Sequence, residues 1–132
     1  QNFNLIEGLS VYENLLAPFA LTNFKANVRD EMIKKALNLA NISHKRDENV
    51  SNLSGGERQR CAVARALSMD ADIILADEPT ANLDRQNARA FLGLLESFKA
   101  LKKSVIVATH DSIFDELSAT DRVVSLQNGE IV

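Results

Sequence analysis

"ADIILADEPT", Ala71 to Thr80, is the stretch that decides the fold. Its apolar run ADIILA stops at Asp77 and a proline follows two residues later, so the pattern predicts a short buried strand ending in a loop. "SVIVAT", Ser104 to Thr109, predicts a second buried strand, which ends at His110. Between the two, Ala88, Phe91, Leu92, Leu95 and Phe98 recur at helical intervals up to about Lys103, and Asp84 stands where a helix cap belongs. Two continuous apolar strands joined by a helix imply an α/β fold with parallel strands, and such sheets are covered on both faces.

Working outward, a short helical pattern covers Ile113 to Leu117, and "RVVSL", "QNG" and "EIV" predict a hairpin turning at Asn128-Gly129. Upstream, Arg58 to Met69 is rich in Ala, Arg and Leu and reads as a helix. A second helix is expected from Arg29 to Ala40, where Met32, Ile33, Ala36, Leu37 and Ala40 share one face. The polar run "NISHKRDENVSN" between these helices reads as a loop. Pro18 divides "LSVYENLLAPFALTNF" into short helices. The order gives a helical part over 1–70 and a strand-helix-strand-hairpin part over 71–132. Two parallel strands and a hairpin make a small sheet, and the chain opens on Gln1, so it is expected to be part of a longer protein.

The 132 residues suffice for one core. The net charge of −3 and the scattered Lys and Arg residues argue against nucleic acid as the partner. The single cysteine, Cys61, has no metal-spaced neighbours and reads as core filler in a reducing compartment. No apolar run approaches the roughly 20 residues that cross a bilayer.

Chemistry concentrates in two places. In "LSGGERQR", Leu53 to Arg60, Ser54 and Glu57 have the spacing of a capping box, but a capping box has no need of Gly55 and Gly56, which weaken a helix. Bare backbone at the positive end of a helix suits close approach of a phosphate. The acids Asp77 and Glu78 stand just past a strand, where ligands of parallel sheets bind. One such carboxylate suits Mg²⁺, and the other suits orienting or deprotonating a water. His110 occupies the matching end of the second strand.

These stretches together resemble the ATP-binding-cassette (ABC) ATPases. "LSGGERQR" resembles the family's signature motif, "IILADEPT" its Walker B strand with the following glutamate, "ANLD" its D-loop and "VATHD" its switch histidine. "QNFNLIEGLSVYEN" resembles the Q-loop and the start of the helical subdomain. The resemblance implies a partial P-loop NTPase (RecA-like) core preceded by a helical subdomain. The loop G-x-x-x-x-G-K-[ST] is absent from the 132 residues, so this stretch is expected to hold half a nucleotide site and to be inactive alone.

The resemblance also implies roles and partners. Ser54, Gly55, Gly56 and Glu57 would meet an ATP held by the second subunit of a head-to-tail dimer. Asp77 would hold Mg²⁺ through water, Glu78 would position and polarise the attacking water, and His110 would touch the γ-phosphate. Asp84 would sit at the dimer interface. Gln1 would sense the metal and the water and move with a membrane permease subunit docked on the Q-loop and helical subdomain. The site is implied to be cytoplasmic, on a protein peripheral to the membrane. "QNFNLIEGLSVYEN" with "ADEPTANLD" looks most like the branch serving lipoprotein release, macrolide efflux and antimicrobial-peptide export. The alternatives are a cell-division or regulatory ABC complex, or a soluble translation or DNA-repair member; "ANLD" in place of "NHLD", and the lack of a long coiled-coil insertion, count against the last two.

Overall fold

The computed structural model describes residues 3–81, 83–118 and 120–132. Four α-helices and four strands follow in the order α1 (Val11–Leu16), α2 (Ala26–Leu39), α3 (Gly55–Ser68), β1 (Ile73–Asp77), α4 (Arg85–Ala100), β2 (Ser104–Ala108), β3 (Leu126–Gln127) and β4 (Glu130–Ile131). Pro18 lies at the start of a 3₁₀ turn, Ala17–Leu21, so the helical pattern tightens there and α1 stays short. Two further 3₁₀ turns, Ser43–Lys45 and Val50–Asn52, occupy the polar run read as a loop.

The first helices are fastened by side chains that apolar patterning does not reveal. Asn14 is fully buried on α1; its Oδ1 accepts from Ile6 N at 2.7 Å, and its Nδ2 donates to the Ile6 and Ser10 carbonyls. Arg65 of α3 donates to the carbonyls of Phe3 and Asn4, at 3.0 and 2.7 Å, which holds the start of the described chain against that helix. Val11, Leu15, Phe19, Ile33, Leu37 and Cys61 are among the apolar side chains that close the core of this part.

β1 and β2 pair in parallel, Ile73 with Ser104 through Asp77 with Ala108, as the two apolar runs imply. The expectation of strands buried on both faces is corrected. Side chains alternate across a strand, and here only one face meets the helices, through Ile74, Val105 and Val107. Ile73, Leu75 and Ile106 project from the other face and are exposed. The α4 face that carries Ala88, Phe91, Leu92, Leu95 and Phe98 is buried, as its spacing predicts. The hairpin forms where expected, but its strands are two residues each. Asn128 and Gly129 take φ values of 54° and 83°, the left-handed pair that a tight hairpin turn requires.

Candidate functional site

The site grows out of the ends of β1 and β2. Glu78 N donates to the Ala108 carbonyl at 2.8 Å, extending the ladder one residue beyond the strand. Glu78 then takes φ 42°, a left-handed conformation that costs a non-glycine residue about 1 kcal/mol or more and recurs at functional sites. Its carboxylate is held on both oxygens: Oε1 lies 2.6 Å from His110 Nδ1, and Oε2 accepts from Thr109 Oγ1 at 3.1 Å. The His110 contact holds the Glu78 carboxyl below its usual range, and the carboxylate in turn raises the His110 imidazole above its ordinary value.

Three neighbours of the expected site residues complete the arrangement. Thr109 Oγ1 also accepts from Asp111 N at 3.1 Å. Asp111 Oδ2 accepts from the buried Thr80 Oγ1 at 2.7 Å, and its Oδ1 accepts from Ile113 N, capping a 3₁₀ turn, Ser112–Glu116. Thr80 and Asp111 thus cross-link the loops that follow the two strands. Their presence in "ADEPT" and "VATHD" was the available signal, although Thr80, Thr109 and Asp111 do not stand out by residue type alone.

Asp77 ends β1 with its side chain exposed. Among the described residues no hydrogen bond or ion pair engages its carboxylate, and no group of three or more His, Cys, Asp or Glu forms a self-sufficient metal cage. Mg²⁺ takes one or two carboxylates alongside substrate phosphates and water, so a single free hard oxygen donor beside Glu78 fits that ion. Gln1 lies outside the described residues.

The glycine-bearing loop forms the cap expected of it. Ser54 N donates to Glu57 Oε2 at 2.8 Å, and Glu57 N donates to Ser54 Oγ at 3.4 Å. The bond from Ser54 N keeps the Glu57 carboxyl below its usual range, and Glu57 Oε1 lies 3.8 Å from Lys45 Nζ. Gly55 is exposed and Gly56 is buried. Among the described residues, no hydrogen bond or ion pair joins Ser54, Gly55, Gly56 or Glu57 to Glu78 or His110. Asp84 caps α4, its Oδ1 accepting from Asn87 N at 2.8 Å, and this bond holds its carboxyl low.

The apolar residues expected near the Q-loop divide cleanly. Leu5, Val11, Leu15 and Phe19 are buried, and Phe3, Tyr12 and Leu16 are partly buried. The exposed apolar side chains of this region are others: Ile6, Leu21, Phe24 and Val28.

The two acids and the histidine thus stand at the carboxyl end of a parallel strand pair, preceded in the chain by a capped helix that opens on two glycines. The ABC transporter family matches residues 1–81, and the chain belongs to that family. It is 35% identical to the methionine import ATP-binding protein MetN 4 of Oceanobacillus iheyensis, covering 100% of this chain and 38% of the relative. The bacitracin export ATP-binding protein BceA of Halalkalibacterium halodurans is 34% identical, over 99% and 51%. The chain therefore spans about half or less of the length of these relatives. Among solved structures, the dimeric post-hydrolysis state of the ATP-binding cassette MJ0796, bound to ADP and Pi, superposes with a TM-score of 0.80 at 32% identity, covering 99% of this chain and 58% of that one. The fold is that of the ABC ATPase cassettes.

Proposed function

We propose that these residues supply the hydrolytic and partner-facing half of an ATPase site that powers an ABC membrane transporter. The observation that carries this reading is the pairing of Glu78 with His110 beside the free carboxylate of Asp77. A carboxylate held low by a histidine is a poor proton acceptor at neutral pH, which suits Glu78 to positioning and polarising a water. Thr109 fixes the second Glu78 oxygen, so its orientation is set before substrate arrives. His110 is exposed and lies with one ring nitrogen on Glu78, which leaves the other for a γ-phosphate oxygen. Asp77 would hold Mg²⁺ through water, and the bound ion would neutralise charge on the phosphates.

Ser54, Gly55, Gly56 and Glu57 are proposed to meet ATP bound by a second subunit arranged head to tail, with Asp84 at the interface and Gln1 as sensor of metal and water. The exposed Gly55 and the ready-made cap at α3 favour that use. Glu57 spends its carboxylate on its own chain, so its part is to shape the loop. Residues 1–70 act as the helical subdomain and 71–132 as part of the RecA-like core. Ile6, Leu21, Phe24 and Val28 offer apolar surface for a permease. No helix among the described residues is long and apolar enough to cross a membrane. "QNFNLIEGLSVYEN" with "ADEPTANLD" favours the branch serving lipoprotein release, macrolide efflux and antimicrobial-peptide export, while an import and an export relative match at nearly equal identity.

Residues 1–132 contain no G-x-x-x-x-G-K-[ST] loop, and by themselves they are proposed not to turn over ATP. The test is Mg-ATP calorimetry on this chain beside a form extended upstream, followed by turnover of the extended form with Glu78→Gln. Binding by the extended form alone, with turnover lost in the variant, supports the reading. Equal binding by the short form overturns the placement of the site.

A further inference from the structure

Gly56 has an internal neighbour that phosphate approach does not explain. A Cβ built on Gly56 would lie 2.5 Å from Asn87 Oδ1 and 2.7 Å from Asn87 Cγ, far inside van der Waals contact. The Asn87 side chain is itself fixed, because its Nδ2 donates to Asp84 Oδ2 at 2.7 Å while its backbone N–H is taken by Asp84 Oδ1. Asn87 therefore stands between the backbone of the glycine loop and the carboxylate that caps α4. A second tie runs parallel to it: Gln59, one turn along α3 and buried, donates its side-chain amide to the Pro79 carbonyl, in the loop that begins with Glu78.

The geometry points to Asn87 as a positioning residue that couples the Ser54–Gly56 loop to Asp84 within one chain. This rests on the proposed roles of those two groups, the loop reaching one subunit's ATP and Asp84 lying at the interface between the sites. Any shift of Asp84 on dimer closure is passed through a half-buried amide wedged against Gly56, with no side chain between them to absorb it. The effect assigned to Asn87 is on the relative placement of the glycine loop and Asp84.

Two measurements on the full-length protein test the coupling. The first is a thermal-stability cycle of Gly56→Ala, Asn87→Ala and the double variant. Gly56→Ala lowers the Tm when Asn87 is present and changes it little in the Asn87→Ala background; an equal drop in both backgrounds overturns the contact, whatever the protein's activity. The second is steady-state ATPase of Asn87→Leu and Asn87→Asp. Asn87→Leu keeps the backbone N–H that Asp84 needs and loses the amide link, so kcat falls by about fivefold while KM for ATP stays within about twofold. Asn87→Asp sets a like charge against Asp84 and falls further. Unchanged kcat in both variants, or a change in KM alone, overturns the positioning role. An absence of ATPase in the unmodified protein overturns the functional reading, and the positioning role with it, while the stability cycle still reports the contact separately.

Discussion

His110 Nδ1 lies 2.6 Å from Glu78 Oε1, at the point where the parallel strands end and the backbone of Glu78 turns left-handed. Each group shifts the other: the carboxylate raises the imidazole and the imidazole lowers the carboxyl. The contribution of His110 is present in full below its ordinary value of 6.5 and is lost as pH rises through the raised native value. That of Glu78 is present above 4.5 and is lost as pH falls through the lowered native value. The pair is accordingly intact through the mildly acidic to neutral range. An NMR titration of the His110 ring should give a midpoint above 6.5, and Glu78→Gln should bring it back down. A wild-type midpoint at or below the ordinary value would show that the pair does not form in solution.

The cap at Ser54 separates stability from chemistry. Ser54→Ala removes the acceptor for Glu57 N and should cost about 1 kcal/mol in urea denaturation. Ser54→Asp retains a capping oxygen and places a negative charge at the helix N-terminus, which is favourable there, so stability is kept. Under the proposed function the same charge would repel a phosphate, and the full-length Ser54→Asp protein should lose ATP turnover. Retained turnover would remove Ser54 from the nucleotide contacts.

Much of this arrangement is legible in the sequence because it is local. The two caps follow from Ser54-x-x-Glu57 and from Asp84 ahead of an apolar stripe, and the Asn128-Gly129 turn follows from two residues that tolerate positive φ. The strand-helix-strand order places Asp77, Glu78 and His110 at the carboxyl ends of two parallel strands. What was not legible depends on contacts between distant segments. Thr80 with Asp111, Gln59 with Pro79 and Gly56 with Asn87 each join positions 20 to 31 residues apart that no local pattern pairs. The burial of the strands departs from the pattern for a related reason: an apolar run records that both faces suit burial, and in these residues helices cover only one.

That one-sided covering predicts opposite responses to two substitutions in the 132-residue chain. Phe98 on α4 is 1% exposed, and Phe98→Ala should cost about 3–5 kcal/mol through lost burial and a residual cavity. Leu75, of similar apolar character, is 74% exposed on the open face of β1. Leu75→Ser should stay within about 0.5 kcal/mol of wild type and reduce self-association measured by light scattering. A large loss of stability for Leu75→Ser would mean that this face is packed in solution.

Cys61 gives a stability prediction of the opposite sign to an acid-labile carboxylate. The thiol is fully buried on α3, and desolvation pushes it up from an ordinary value of 9.0 to about 11, against the weaker pull of Arg65 and Arg58. The native thiol should resist a maleimide or disulfide reagent at pH 8 and react at once in denaturant, since the thiolate is the reactive form and neither water nor reagent reaches it. In the unfolded chain the proton leaves near pH 9, whereas in the native chain it stays until about pH 11, so over that interval the native state binds more protons. Stability must then fall as pH rises from 9 to 11, by roughly 2–3 kcal/mol from this group. Cys61→Ala and Cys61→Ser separate the terms. Both remove the alkaline decline, but only Cys61→Ser adds the cost of a buried hydroxyl at neutral pH. Urea denaturation at pH 7 and pH 10.5 measures both quantities, and an alkaline decline of equal size in Cys61→Ala would assign the effect to a different group.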